Sequence, residues 1–230
     1  MGSQATWIEQ QPFLIDVEEM HWRAVRELKR ARSTGESPGN DTLIQMLSQV
    51  HLLELTLTFR NLYKSRAAAK KQSSKVADKL LAHAMEKQSH AESVSARIAR
   101  LGGERIWNAN GLPPTSHMSR LEGVPLADMV RESLLAETFI IDLCRNSIEF
   151  LGNSDPTTTA LLEKILESEE RQIFELTALV DEVSGTKLDG GDQHNEPHMG
   201  DSEGAWNKLF AASAPNSWFS DLILKDPIEE

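Results

Sequence analysis

Apolar residues along this chain recur at helical spacing rather than in the alternating pattern of a β-strand. In residues 12–32, Leu14, Val17, Val25 and Leu28 fall on one face of a helix, and Trp22 lies on the flank of that face. Alternating apolar and polar runs bounded by turn residues are scarce, so the sequence predicts an all-α fold that opens with an N-terminal amphipathic helix.

Four longer helical segments follow this first helix and a linker rich in Gly, Ser and Pro. Capping and helix-stopping residues predict that they cover about residues 40–71, 73–102, 125–152 and 155–184. Asp155 followed by Pro156 is typical of a helix start, with a capping side chain and a proline in the first turn. Each segment is about 42 Å long at 1.5 Å per residue.

The lengths of the connections predict how these four helices are arranged. The first and second are joined by a tight turn, as are the third and fourth, so each pair is expected to be antiparallel. The connection between the second and third spans residues 103–123. Fully extended, it reaches about 66 Å, which is enough to cross back over a whole helix. The sequence therefore predicts two hairpins joined by one long crossover.

Charged side chains interrupt the apolar faces of all four long helices. Glu54, Lys87, Glu137 and Glu169 each lie among apolar residues at helical spacing, and His90 lies one turn after Lys87. A buried carboxylate requires a partner or a metal ion. Carboxylates on facing helices repel each other unless a cation lies between them, so a cation is expected at this level of the bundle.

Four short motifs of these helices carry a resemblance to a known family: Leu53-Glu54-Leu55-Thr56, His90-Ala91-Glu92, Ala136-Glu137-Thr138 and Ile165-Leu166-Glu167-Ser168-Glu169-Glu170. Through them, residues 41–184 resemble the ferritin-like superfamily, most closely bacterioferritins and Dps-like proteins. The resemblance implies a four-helix bundle with a di-iron site that binds and oxidises Fe(II) with oxygen. It also implies a homo-oligomer, either a dimer or a hollow cage.

The resemblance implies an incomplete set of metal ligands. Glu54, His90, Glu137 and Glu169 match the family pattern. Lys87 stands where that pattern has a Glu, and Gln172 stands where it has a His. The lysine changes the local charge by two units and is expected to act, with Gln172, as a partner of the core charges.

Two neighbours of Lys87 complete this comparison. Glu86 lies about 40° from His90 on the helix and is a candidate replacement for the missing ligand. Gln88 occupies the position at which bacterioferritins carry a haem-binding Met, so no haem is expected. Three states of the centre remain open at this point: a two-iron oxidase, a single or altered metal site, and a metal-free polar core.

Two functions correspond to these states. The first is iron binding, oxidation or storage by Glu54, Glu86, His90, Glu137 and Glu169. The second is a non-catalytic assembly or partner-binding subunit whose core is stabilised by a lysine–carboxylate network. A di-metal oxygenase acting on an organic substrate is a further alternative, although no residue indicates a substrate pocket.

All five tryptophans of the chain lie outside the four long helices. The predicted domains are an N-terminal extension (1–40), the bundle (41–184), and a flexible linker with an aromatic tail (185–230). The N- and C-terminal extensions are both candidate elements for binding a neighbouring subunit or another protein. Four tail residues are the candidate anchors: Trp206, Phe210, Trp218 and Phe219. The alternative is that they pack against their own bundle.

The composition of the chain limits the partners and the cellular location that we expect for the protein. The 230 residues carry a formal net charge of −11, which argues against nucleic-acid binding. Cys144 is the only cysteine, so a reducing compartment is expected. The chain has neither an apolar run long enough for a membrane span nor the pattern of a secretory signal. We therefore expect a cytoplasmic protein without membrane contact.

Overall fold

The computed structural model describes residues 11–33, 38–104 and 112–185. Every regular element of these ranges is a helix, which confirms the predicted all-α class. The helices are α1 (Pro12–Ser33), α2 (Asn40–Lys70), α3 (Ser74–Arg100), α4 (Thr115–Ser119), α5 (Leu126–Leu151) and α6 (Pro156–Val183). The tail candidates Trp206, Phe210, Trp218 and Phe219 lie outside the described residues.

Local sequence determines where the long helices begin and end. Asp155 caps α6 as predicted, since its carboxylate accepts hydrogen bonds from the backbone N–H and the hydroxyl of Thr158. At the start of α2, however, the N-cap is Gly39. Asn40 is already helical, and its amide donates to the Leu101 carbonyl at the far end of α3. The helix therefore begins at residue 40, as predicted, but its N-cap is a glycine that offers no side-chain hydrogen bond.

Side-chain contacts establish the predicted topology. Ser65 and His51 of α2 contact the Ala77 and Ala91 carbonyls of α3, so these helices are antiparallel. Helices α2 and α5 are antiparallel as well, because the α2 residues Arg60 and Met46 lie near the α5 residues Glu132 and Leu143, respectively. Since α3 and α5 both run opposite to α2, they are parallel to each other, as the long crossover predicted. The crossover also contains α4, which the sequence analysis did not predict.

The apolar core is divided into two clusters. The larger one includes Leu47, Val50 and Ile140, together with Phe13 and Leu14 of α1, so the N-terminal helix packs into the core of the bundle. The smaller cluster lies toward the α2–α3 turn and comprises Ala68, Val76, Ala77, Leu80, Val130, Leu176 and Leu179. Charged side chains occupy the interior between these clusters. No helix of the described ranges is long and apolar enough to cross a membrane.

Candidate functional site

Each of the four long helices contributes to a charged centre in the bundle interior. Glu54 comes from α2, Lys87 and His90 from α3, Glu137 from α5 and Glu169 from α6. On α3, Lys87 takes the position between Leu80 and Val94 at seven-residue spacing, which directs it inward. The structure therefore brings together the five charged residues that the sequence pattern placed on apolar faces.

Lys87 lies at the middle of this centre. Its side chain is 0 % exposed, and its Nζ contacts Glu137 Oε2, lies 2.6 Å from Glu169 Oε2 and lies 3.9 Å from Glu54 Oε2. The carboxylates of three different helices thus surround one ammonium group. Such an arrangement supplies the cation that facing buried carboxylates require.

His90 is the second basic group and forms the outer edge of the centre. Its Nδ1 lies 2.9 Å from Glu169 Oε1 and 3.4 Å from Glu54 Oε1. An ionised carboxylate only accepts hydrogen bonds, so His90 Nδ1 donates its proton to Glu169 in the shorter contact. The imidazole is 15 % exposed, whereas the Glu54 and Glu169 side chains are fully buried.

Burial and the mutual contacts of the centre shift its pKa values in opposite directions. Burial lowers the pKa of Lys87, but Glu137, Glu169 and Glu54 outweigh it and keep this pKa well above its usual value. Burial also lowers the pKa of His90, yet its contacts with Glu169 and Glu54 raise the net pKa to about 9. Both basic groups are therefore protonated at neutral pH.

The pKa values of the three carboxyl groups are shifted in different directions. Burial raises the pKa of Glu137 well above its usual value, even beside Lys87. Burial, reinforced by repulsion from Glu169, raises the pKa of Glu54 as well. At Glu169 the effect of burial is outweighed by Lys87 and His90, which hold its pKa well below the usual range. Glu169 is thus the anion that both cations neutralise.

The remaining predicted site residues lie at the edge of the centre or outside it. Glu86 turns toward α6, where its Oε2 accepts hydrogen bonds from Gln172 Nε2 at 2.9 Å and Arg171 at 3.2 Å. Gln172 is itself buried, and its Oε1 has no hydrogen-bond partner. Gln88 is exposed and donates to Glu92. Glu86 therefore lies outside the cluster of Glu54, Glu137 and Glu169.

A two-iron centre does not fit this donor set. Glu137 and Glu169 would hold metal ions through their carboxylate oxygens, but one oxygen of each already faces the Lys87 ammonium group. Gln172 offers an amide in place of an imidazole, and the Glu86 carboxylate faces away. An ammonium group has three donors and no lone pair, so Lys87 cannot bind a metal ion. Its positive charge also repels a metal ion at the position where the family pattern has a bridging carboxylate.

One part of the centre keeps the geometry of a metal site. The ligand atoms of Glu54, His90 and Glu169 all lie within 4.8 Å of one another. Two carboxylates and one imidazole are a donor set that suits iron and related divalent ions.

A second buried charge cluster joins α2 and α5 nearer the α2–α3 turn, and the sequence analysis missed it. Glu132 of α5 accepts two hydrogen bonds from Arg60, at 2.6 and 2.7 Å, and its Oε1 lies 3.0 Å from Lys64 Nζ. Arg60 also donates to the His117 and Met118 carbonyls at the crossover helix α4. The one available signal was the four-residue spacing of Arg60 and Lys64 in the middle of a helix.

This second cluster shows that the centre is not the sole place where the bundle buries charge. Burial lowers the pKa of Lys64 to about 8 although Glu132 is near. The Arg60 guanidinium lies 4.7 Å above the Phe13 ring, in cation–π geometry. The cluster thus links α1, α2, α5 and the crossover. The charged groups of Arg60, Lys64 and Glu132 all have hydrogen-bond partners in these elements.

Comparison with protein families assigns the class. Residues 44–186 match the model of the ferritin-like domain, which is well over half of the chain. The chain therefore belongs to the ferritin-like domain family, in agreement with its antiparallel hairpins and long crossover. No curated protein matches the chain.

Proposed function

We propose that this ferritin-like protein has exchanged the two-metal centre for an internal ion-pair network and acts as a non-catalytic assembly or partner-binding subunit. The observation that carries the proposal is the position of Lys87, whose ammonium group contacts carboxylates of α5 and α6 and lies near that of α2. Its positive charge lies among the carboxylates that a two-metal centre would use as ligands.

Charge balance supports this proposal. Lys87 and His90 contribute two positive charges, and the three carboxylates contribute up to three negative charges. If one carboxyl group keeps its proton, the centre is neutral. Burial raises the pKa of both Glu137 and Glu54, which favours a retained proton on this pair of carboxyl groups. A neutral buried network has no electrostatic requirement for a metal ion.

The electrostatic repulsion between Lys87 and an added metal ion also supports the proposal. A divalent ion about 4 Å from the Lys87 ammonium is repelled by about 8 kcal/mol at an effective dielectric constant of about 20. The attraction of the same ion to the carboxylates is reduced, because those carboxylates are already paired. A two-metal centre is therefore disfavoured while Lys87 points inward.

A second candidate function is the binding of one divalent ion, for which iron is the natural choice in this family. It is favoured by the convergence of Glu54, His90 and Glu169. In this alternative Lys87 stays paired with Glu137, and one ion replaces the proton on His90. The site then binds a metal without the second ion that the family resemblance implies for oxidation by oxygen.

Anaerobic loading with Fe(II), followed by desalting and elemental analysis, tests these alternatives. The wild-type protein is expected to retain far less than one iron per chain, because Lys87 repels the ion. The double variant Lys87→Glu/Gln172→His restores both family ligands and should retain about two. A Lys79→Glu/Gln172→His variant, with the charge reversal on the protein surface, is the matched control. Two iron ions per wild-type chain would contradict the proposal, and one would favour the second candidate.

The partner and location statements remain predictions. The proposal places assembly or partner binding in the homo-oligomer contacts and in the tail residues Trp206, Phe210, Trp218 and Phe219. A cytoplasmic location and a closer relation to bacterioferritins are likewise expectations. They rest on the single Cys144 and on the motifs around Glu54 and His90.

A further inference from the structure

Helix α1 forms an open groove with the first part of α2. The Glu27 carboxylate lies 3.4 Å from Gln45 Nε2, so the C-terminal half of α1 runs beside the N-terminal part of α2. Between the two helices lies a cavity of about 60 Å³, and Leu143 of α5 forms part of its wall. Helix α1 precedes the residues that match the ferritin-like domain. The groove therefore depends on the N-terminal extension of this chain as well as on the family fold.

The cavity is apolar inside and polar at its border. Its apolar lining consists of Ala24, Leu28, Ala31, Met46 and Leu143. The polar residues that line it include the exposed Glu27 and Gln45. Since one water-sized group needs about 10–15 Å³, the cavity has room for about four heavy atoms. This is the size of a Leu or Ile side chain and is smaller than an aromatic ring.

Three exposed arginines run along α1 beside the groove, and we call them the arginine row: Arg23, Arg26 and Arg30. At 100° per residue they lie within about 60° of one another. Ala24 and Ala31 of the cavity lie about 80–100° from Arg23 around the same helix. Within the described ranges, none of the three guanidinium groups has an ion-pair partner. The row therefore offers positive charge next to an apolar cavity.

The acidic residues near the row leave its surface positive. Residues 23–33 contain five basic residues and one acidic residue, Glu27, which turns toward α2. Arg32 pairs with Glu149 of α5 and is not part of the row. Glu19 lies one turn before the row. The chain as a whole has a formal net charge of −11, so this local excess of positive charge is opposite to that of the protein.

We propose that the groove and the arginine row bind an acidic helical segment of a partner protein, which inserts one aliphatic side chain into the cavity. Carboxylates three or four residues apart on a helix repeat at a rise of about 4.5–6 Å, which equals the spacing of the arginine row. An amphipathic helix in a groove is a common mode of peptide recognition. A nucleic acid has the required charge but no aliphatic side chain for the cavity.

This inference rests on the partner-binding part of the proposed function and gives the chemistry of the partner. It uses neither the charged centre nor the tail. Iron retention and partner binding can therefore be measured separately on the same preparation.

Selection from a displayed library of random twelve-residue peptides on the immobilised full-length chain tests the proposal. The enriched peptides should be acidic and should contain Leu, Ile or Val. The net charge of −11 by itself favours basic peptides, so enrichment of acidic ones would have to come from a local positive surface. Enrichment of neutral or basic peptides, or no enrichment, would overturn the proposal.

Charge reversal of the arginine row then tests where the enriched peptide binds, with a fluorescein label and anisotropy as the readout. The triple variant Arg23→Glu/Arg26→Glu/Arg30→Glu should weaken binding at least about 10-fold, because three attractions become repulsions. The matched control makes the same change of charge at three exposed residues at the other end of α2: Arg66→Glu/Lys70→Glu/Lys71→Glu. This control should weaken binding less than about 3-fold, and equal losses in both variants would overturn the proposal.

Filling the cavity tests the apolar anchor. Ala31→Leu should weaken binding at least about 10-fold, because the added side chain occupies the space of the anchor. Ala69→Leu, at an exposed position of α2 outside the groove, is the control and should have no effect. Circular dichroism checks that both variants keep the wild-type helix content. Unchanged binding by a folded Ala31→Leu variant would overturn the proposal.

A labelled single-stranded oligonucleotide of fifteen nucleotides tests the other class of polyanion. It should bind far more weakly than the enriched peptide, and tighter binding that requires the arginine row would overturn the proposal. The iron measurement separates this inference from the proposed function. Two iron ions per chain together with acidic-peptide binding would contradict the loss of the two-metal centre and support the groove. Less than one iron ion per chain without peptide binding would overturn the groove alone.

Discussion

Replacement of Lys87 by Met examines the charged centre most sharply, because Met has a similar volume and no charge. The variant leaves Glu54 and Glu169 in contact with His90 and removes the ammonium group that contacts Glu137. Removal of one partner from a buried ion pair costs about 3–5 kcal/mol. Two carboxylates about 4 Å apart at an effective dielectric constant of about 20 repel each other by about 4 kcal/mol, which agrees with that range.

We therefore expect Lys87→Met to lower the free energy of unfolding by about 4 kcal/mol at pH 7. Urea titration followed by circular dichroism would show this as a decrease of about 2 M in the midpoint, given a typical slope of about 2 kcal/mol per M. The loss should be smaller at pH 5, because the unpaired carboxylates can then take up protons.

The control for this measurement is Lys79→Met on the same helix. Lys79 Nζ lies 3.0 Å from Glu175 Oε2, but both side chains are about one-third exposed (36 % and 35 %). A surface pair of this kind contributes less than about 1 kcal/mol. A loss at Lys87 no larger than the loss at Lys79 would refute the claim that Lys87 neutralises the centre.

Four further predictions concern the centre, the second cluster and the tail. His90, whose pKa rises to about 9 in the folded protein, should contribute most stability below pH 6.5 and none above about pH 9. The difference in unfolding free energy between wild type and His90→Gln should shrink accordingly when urea titrations are repeated between pH 6 and 9. Lys87→Glu should destabilise the protein in the presence of a chelator and recover when Fe(II) is added anaerobically, as seen in the thermal midpoint. Glu132→Gln should cost about 3 kcal/mol in urea unfolding, because Arg60 and Lys64 lose their buried anion; an effect below 1 kcal/mol would contradict its role. Truncation after Gly185 should leave the helical circular dichroism unchanged but reduce assembly size or partner recovery, and unchanged values of both would contradict the proposed role of the tail.

Much of the fold could be predicted from local sequence. The long helices begin and end within a few residues of the predicted bounds, because Asp155, Pro156 and Gly102 are strong local signals. Gly102, for example, has a φ of 92°, a conformation that glycine adopts at the end of a helix without strain. The five-residue helix α4 was missed because a single turn has too few positions to show periodicity.

The centre could be predicted in part. Apolar neighbours indicated that Glu54, Lys87 and Glu137 face inward, because a helix face is readable from spacing alone. The direction of Glu86 was not readable, since a residue on the flank of the apolar stripe can turn either way. Its direction depends on Arg171 and Gln172 of α6, which are distant in sequence.

The second cluster shows a further limit of sequence reasoning. Arg60 and Lys64 have long side chains that often reach solvent from a partly apolar face. Their burial depends on Glu132, on the carbonyls of α4 and on the Phe13 ring, all of which come from other elements. Only the assembled bundle reveals that these groups meet.

The most direct test of the central claim is a crystal structure of the wild-type protein grown anaerobically with Fe(II), with diffraction data collected at the iron absorption edge. The account predicts ordered Lys87 Nζ density between Glu137 and Glu169 and no anomalous peak bridging those carboxylates. Two anomalous peaks between the carboxylates, with Lys87 displaced from the centre, would contradict it.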